Sequence, residues 1–414
     1  MRGCPSRSTG IWPKFPNNQK EHSTMLPVNR PILSFKNPFF FLYSQQSFFY
    51  FFNKSSNFHM DTKPLSIKPS SLQIQAHRVT SEEASISLQE WQGWGSTSPV
   101  PAMVNGVIED LKLLEKDIDA HMTFDGNHGK LTGDFKVQED KKHRKKYESL
   151  GDSEKKLQFF SARQIACRLL GSRGYLCQKC WLPMEDCMCS RVALYPLRYP
   201  IRFWLYMHPK DFLRQNNTGK LLWKVFGVEA ATLCLFGIAE HEEIMWNTFN
   251  LAGRNKIWCL YPSKNAVTES IEDIIGQTSS SDLPRHAKLA NGDTMHFILI
   301  DGTWSNSSAM FKRLQDRAIC IWEQELRCVS LNTGVSLMHK LRPQPSWDRT
   351  CTAAAAMGLL YELHQLPEFS SFGFDKQAEA LGDALEVLLE ALTNRRLRMG
   401  RSITRKERHY SSLC

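Results

Sequence analysis

Four cysteines stand within thirteen residues as Cys177-x2-Cys180-x6-Cys187-x-Cys189. Two tight turns can bring thiolates at this spacing around one ion without long-range folding, and a tetrahedral Zn²⁺ takes four of them at about 2.3 Å. Four ligands leave no open coordination position, so the spacing predicts a structural zinc knuckle; free thiols or a redox pair are the alternative. Other polar residues follow short apolar runs. Ile298-Leu299-Ile300 leads into Asp301-Gly302-Thr303-Trp304 and then Ser305-Asn306-Ser307-Ser308. His208-Pro209-Lys210 follows the run 201–206, with Asn217-Thr218-Gly219 opening the next helical pattern, and Tyr261-Pro262-Ser263 follows 256–261. A carboxylate able to accept a proton, hydroxyls and a large aromatic at such positions form the edge of a polar crevice. The same residues also read as a plain helix entry in which Ser305 caps, Asp301 satisfies backbone N–H groups and Trp304 packs.

The elements that must position these residues alternate. Apolar and β-branched runs at 201–206, 231–238, 256–261, 295–300 and 327–331 predict strands. Helical patterns at 217–226, 241–250, 268–276 and 305–316 lie between them, and 351–365 and 375–393 follow. The alternation predicts an α/β fold, a largely parallel sheet with helices on both faces. Ligands of such sheets sit beyond the carboxyl ends of the strands, so the loops after 206, 261 and 300 are where chemistry is expected.

Upstream, Val104, Val107, Ile108, Leu111, Leu114 and Ile118 recur at helical spacing and predict one amphipathic helix docked on the core. The run Lys141, Lys142, Arg144, Lys145, Lys146 reads as a nuclear-import signal, an RNA contact or a solvated linker face. The chain thus divides into a leader or extension over 1–60, a weakly patterned region over 61–156, an α/β domain over 157–394 that includes the knuckle at 177–189, and a basic tail over 395–414.

The 414 residues carry 52 Lys and Arg against 42 Asp and Glu, and the excess is not evenly spread. Residues 1–60 hold seven Lys or Arg and one acid, residues 395–408 likewise, and the remainder is close to neutral. The chain is therefore not a uniformly basic globule; cationic charge sits at its ends. The aromatic stretch 39–52 is too short and too polar to span a bilayer, and no stable membrane association is expected. The acid-poor leader reads either as an organelle transit peptide or as an extension before a start at Met60, which leaves an organelle, or else the cytoplasm or nucleus, as the expected compartment. Aromatic content of 11% and the absence of a sustained heptad exclude collagen, coiled-coil and wholly disordered classes.

The zinc-type cysteines, His-Pro-Lys with Asn-Thr-Gly, Tyr-Pro-Ser and a strand ending in Asp-x-Thr-Trp, taken in this order, resemble the DTW-domain family over roughly residues 173–365. The resemblance implies a fold similar to the knotted SPOUT-type RNA methyltransferases, and S-adenosylmethionine as co-substrate. It implies transfer of the 3-amino-3-carboxypropyl group to N3 of a tRNA uridine, with Asp301 as the catalytic carboxylate. Tyr261, Pro262, Ser263, Gly302, Thr303, Trp304, Arg342 and Thr352 are then expected at the co-substrate. His208, Lys210, Asn217 and the tail residues Arg395, Arg396 and Arg398 are expected at the RNA. One departure stands out: where the family pattern suggests an acid near the start of a helix, this chain has Cys351-Thr352-Ala353-Ala354. A non-catalytic zinc-knuckle RNA-binding protein and a SPOUT-type RNA methyltransferase remain as alternative readings, and the sequence leaves the oligomeric state open.

Overall fold

The polypeptide is described by a computed structural model over residues 86–125, 130–197, 201–261, 268–277, 294–331 and 350–402. Six strands form one sheet: β3 (Ile201–Met207), β4 (Ala231–Leu235), β5 (Ile257–Leu260), β6 (Thr268–Glu269), β7 (Met295–Asp301) and β8 (Cys328–Val329). Their order is β4-β3-β7-β5-β8-β6, and every neighbouring pair is parallel. A separate hairpin pairs β1 (Thr123–Phe124) with β2 (Leu131–Thr132).

Parallel strands buried on both faces should alternate between two cores. Phe203, Leu205, Met207, Phe297 and Leu299 enter one apolar cluster, while Trp204, Tyr206, Ile298 and Cys259 enter the other. The first face is covered by α5 (Lys220–Phe226), α7 (Ile271–Gln277), α9 (Thr352–Gln365) and α10 (Phe374–Arg398), and the second by α6 (Ala239–Ala252) and α8 (Trp304–Trp322). The predicted α/β class, with a parallel sheet and helices on both sides, is therefore what forms. A knot depends on the chain path between β8 and α9, most of which lies outside the described residues.

Two predicted boundaries shift for local reasons. The run 231–238 ends as a strand at Leu235, because Gly237 turns the chain at φ +72° and a side chain there would meet Ser161 Oγ at 2.6 Å. The helix expected over 268–276 starts only at Ile271. Ser270 and Asp273 form a reciprocal cap, with Ser270 N donating to Asp273 Oδ2 and Asp273 N to Ser270 Oγ, both at 3.1 Å, and this leaves Thr268–Glu269 free to pair with β8.

The amphipathic pattern at 104–118 folds as α2 (Ala102–Asp117), burying Val104, Val107, Ile108, Leu111 and Leu114. Three further helices have no counterpart among the predicted elements: α1 (Leu88–Gln92), α3 (Gly133–Ser149) and α4 (Ser153–Ser172). The basic run 141–146 lies inside α3 and so is neither a linker nor extended. α4 packs on α2 and reaches the second face of the sheet, where Arg313 of α8 donates to Glu154 Oε2 at 2.6 Å and to Glu242 Oε1 at 3.0 Å. Among the described residues no helix is long and apolar enough to cross a membrane.

Three histidines are built into this framework as neutral acceptors. The Nδ1 atoms of His208, His241 and His296 accept from Lys210 N (3.1 Å), Leu235 N (3.2 Å) and Trp204 Nε1 (3.1 Å). Burial pushes each of them down to about 4 from the ordinary 6.5. Protonating any of the three in place costs both desolvation and a hydrogen bond, whereas the unfolded chain takes up these protons near 6.5. The stability these neutral rings contribute is therefore complete above pH 6.5 and is lost as the pH falls towards 4. Denaturant midpoints measured at pH 7.5, 6 and 5 are expected to decrease in that order; a flat profile would show that the rings do not titrate as buried groups.

Candidate active site

All six strands of the sheet point the same way, so the carboxyl ends of β3, β5, β7 and β8 open onto one edge. β3 and β7 end together, with Met207 opposite Asp301, and His208 N continues the ladder by donating to Asp301 O at 2.9 Å. Asp301 is 7% exposed, and its side chain accepts from Asn217 Nδ2 at 2.9 Å. Asn217 is fixed from its other end, where its Oδ1 accepts from Lys220 N at 3.1 Å and so starts α5.

Each member of the Asn-Thr-Gly segment has a separate task. Asn217 holds the carboxylate. Thr218 Oγ1 accepts from Ala353 N at 3.4 Å and so ties this loop to the start of α9. Gly219 makes room: a Cβ there would overlap Asp301 Oδ2 and stand 3.2 Å from its Cγ. The contact fixes a glycine by close approach rather than by backbone angle. Gly219→Ala is accordingly expected to destabilise the protein by about 1–3 kcal/mol, the usual cost of overpacking, and much less in an Asp301→Ala background. A denaturation double-mutant cycle measures the coupling, and additive effects would dissociate Gly219 from Asp301.

These residues face a cavity of about 220 Å³. Of the residues predicted at a site, Asn217, Tyr261, Asp301, Gly302, Trp304 and Thr352 line it. Tyr261 is held by a stack on Phe311, with ring centroids 4.3 Å apart. Trp304 and Thr352 are the first residues of α8 and α9, so two helix N-termini, each carrying partial positive charge, meet the cavity. The N-cap of α8 is Thr303, two residues before the predicted Ser305 cap; its carbonyl takes the N–H groups of Asn306 and Ser307, and its hydroxyl meets Ser305 Oγ at 2.9 Å.

Other predicted residues are placed differently. His208 is buried beside the cavity rather than on a surface open to RNA, its ring stacked on Phe236 at 5.7 Å. Lys210 is exposed, with Nζ 5.5 Å over the Phe160 ring. Arg395 is buried and donates to Tyr175 OH at 2.7 Å and to Asp186 Oδ2 at 3.3 Å, and Arg398 pairs with the same Asp186. These two arginines, read as RNA contacts within a tail, instead clamp α10 to the cysteine knuckle. Arg396 is half-buried next to them on the same helix, which continues to Arg398. Pro262, Ser263 and Arg342 lie outside the described residues.

Two lining residues escaped the sequence reading. Asp211 and Arg214 follow His208-Pro209-Lys210 in the same loop, form an i,i+3 ion pair and both border the cavity. Asp211 is 4% exposed, and its Oδ2 has no partner among the described residues; the Thr350 hydroxyl, also on the cavity wall, has none either. Acid and base three residues apart in a loop just after a strand was the available signal. Ala353 is fully buried with its N–H donating to Thr218 Oγ1, whereas Ala354, the next residue of the stretch in which the family pattern suggests an acid, is only partly buried.

The cysteine knuckle is a compact hairpin. Cys177 N donates to Leu182 O and Trp181 N to Cys177 O, both at 2.8 Å. The Sγ atoms of Cys177, Cys180, Cys187 and Cys189 all lie within 4.8 Å of one another, and the Cys177–Cys189 and Cys180–Cys187 pairs are separated by 3.7 and 3.8 Å. Tetrahedral arms of about 2.3 Å require sulfurs about 3.8 Å apart, so the cluster fits one Zn²⁺. The knuckle also supports the loop after β3. Trp181 adopts φ +58°, a conformation that costs a non-glycine residue about 1–3 kcal/mol, and inserts its buried ring between Phe212 (5.3 Å) and Trp223 (5.1 Å). Stripping the metal with a chelator, or Cys180→Ser, is expected to lower Tm by roughly 10 °C or more and to change the fluorescence of the buried tryptophans. Protein that contains no zinc by elemental analysis and is indifferent to chelators would overturn the assignment.

A family model described as the DTW domain matches residues 174–397, more than half of the chain. No solved structure matches it.

Proposed function

Because this chain belongs to the DTW-domain family, we propose that it transfers the 3-amino-3-carboxypropyl group of S-adenosylmethionine to N3 of a uridine in tRNA. The observation that carries this reading is the Asp301 carboxylate, buried at the cavity edge and oriented by Asn217 over Gly219. In the proposed reaction the bond from uridine N3 to the γ-carbon of the transferred group forms as that carbon's bond to sulfur breaks. Methylthioadenosine leaves, and the N3 proton passes to a base. The sulfonium activates all three of its carbons, so which one reacts is a matter of placement. Asp301 is the group positioned to accept the N3 proton.

The cavity chemistry supports a zwitterionic partner. An amino-acid end presents one ammonium and one carboxylate; Asp211, with its orphaned Oδ2, suits the first, and Arg214 and the N-termini of α8 and α9 suit the second. Tyr261 and Trp304 supply flat apolar surface for a base or an adenine. Since N3 of a paired uridine is engaged, the target is expected in a loop or otherwise unstacked. The four thiolates are structural in this scheme and take no part in the transfer.

Incubating bulk tRNA with S-adenosylmethionine labelled separately on the methyl and on the aminocarboxypropyl carbons tests the reaction. Label entering RNA from the second position alone is expected. Label from the methyl would make the protein a methyltransferase, and label from neither would make it a binding protein. Asp301→Asn is expected to lower transfer by about 100-fold or more, while zinc content and the thermal transition stay as in the wild type. Wild-type rates in that variant would remove Asp301 from the mechanism.

A further inference from the structure

The family match begins at residue 174, whereas α3 and the whole of α4 precede it. These helices therefore lie outside the matched domain, and they carry a charge arrangement that the transfer chemistry does not use. On α3 the residues facing inward are Phe135, Glu139 and His143, spaced four apart. Glu139 and its neighbour Asp140 are both taken up by Arg163 of α4, which donates from Nε to Glu139 Oε1 at 2.6 Å and from Nη2 to Asp140 Oδ1 at 2.8 Å. His143 is stacked on Phe159 at 4.7 Å, and burial with the nearby Arg163 charge pushes it down to about 4, so it stays neutral. Lys146 is bonded to Asp110 of α2 at 2.7 Å.

What remains is the opposite side of the helix. At 100° per residue, Arg144, Lys141, Lys145 and Lys142 fan out over about half the helix circumference, and all four are exposed without an ion pair to any described residue. Lys141 and Lys145 are one turn apart, about 6 Å along the axis, comparable to the step between successive phosphates of a nucleic-acid strand.

The cations are continued towards the cavity on aromatic supports. Lys156 Nζ lies 5.5 Å over the exposed Tyr147 ring, and Lys210 Nζ lies 5.5 Å over Phe160. Lys210 belongs to the loop that contributes Asp211 and Arg214 to the cavity wall, and Arg168 of α4 holds this loop by donating to the carbonyls of Lys210 (2.6 Å) and Phe212 (2.9 Å). Cations without an ion pair to any described residue thus stand on the outer side of α3, on α4 at Lys156 and on the cavity loop at Lys210.

We propose that this α3–α4 face is the docking track for the phosphate backbone of the structured RNA substrate, and that the N-terminal helices hold the tRNA body while the cavity takes one base. The proposal rests on the RNA-directed reading above. The occupant is argued from charge: clustered exposed cations on an ordered scaffold complement a regular array of phosphates. The helical form argues against reading 141–146 as an import peptide, since the helix turns its side chains to different sides and commits Lys146 and His143 to the protein itself.

The test uses the full chain and bulk tRNA without co-substrate, so that binding is read apart from chemistry. One variant carries Lys141→Gln, Arg144→Gln and Lys145→Gln. A control carries Lys116→Gln, Lys312→Gln and Arg317→Gln, three exposed cations on α2 and α8. Dissociation constants measured across a salt series are expected to show that the α3 variant loses about two to three units from the log–log salt slope, at roughly 0.7–0.9 per lost phosphate contact, while the control keeps the wild-type slope. In the labelled transfer assay the α3 variant should show raised KM for tRNA and unchanged kcat. An unchanged salt slope in the α3 variant, or an equal loss in both, would overturn the track and leave the proposed reaction standing. Failure of the wild-type chain to bind tRNA at all would sink the RNA-directed reading itself.

Discussion

The interaction on which the rest of the site depends is that of a carboxylate pressed against a glycine. Burying a charged carboxylate is costly unless donors meet it and the surrounding backbone makes room. Asn217 supplies a donor to Asp301, and Gly219 supplies the space. Neither requirement can be relaxed alone: moving Asn217 releases the cap on α5, and a side chain at position 219 displaces the acid. Because Thr218 lies between them and holds Ala353, the same three residues also fix where α9 begins. The parallel register that ends β3 and β7 together puts all of this at one place.

The loop after β3 is held from two sides. Arg168 takes the carbonyls of Lys210 and Phe212, and Trp181 packs on the Phe212 ring. Trp181 in turn projects from the cysteine knuckle, which Arg395 and Arg398 fasten to α10 through Asp186. A metal held by the four cysteines would therefore bear on the loop after β3 mechanically, through the knuckle. The four cysteines bracket the strained turn at Trp181, and the Trp181 ring packs on Phe212 of the loop after β3.

The sheet was legible because a parallel strand buried on both faces leaves an uninterrupted apolar run, and five such runs are present. α3 and α4 were not, for a physical reason. The inward positions of α3 include Glu139 and His143, and those of α4 include Ser161, Ala162, Ala166 and Arg168, so neither shows an apolar stripe of ordinary contrast. Asp301 and its loop could be picked out from residue type and position at a strand end. The Asn217–Asp301 bond spans 84 residues and becomes visible only once β3 and β7 are known to be neighbours. Arg395 is instructive because its direction was in fact readable. It continues the inward series Leu381, Leu385, Leu388 and Leu392 at the same spacing, and a charge on that stripe has to find a partner inside, which it does in Asp186. Counting it with the tail took its sign into account and ignored its phase.

Charge is distributed in a way that suits two unlike partners. A cavity lined mainly by cations would repel the sulfonium of the proposed co-substrate, and one lined mainly by acids would repel RNA phosphates at its rim. Inside, Asp301 and Asp211 are set against Arg214 and two helix N-termini, so neither sign dominates. Outside, the cations of α3 face solvent, and in the proposed scheme they attract the phosphates of the RNA. In the proposed scheme a nearly neutral pocket discriminates by geometry, while long-range attraction is carried by helices that the matched domain does not include. In that scheme charge changes on α3 and changes at Asp301 act on different constants, because the first bear on how firmly RNA is held and the second on the proposed proton transfer from uridine.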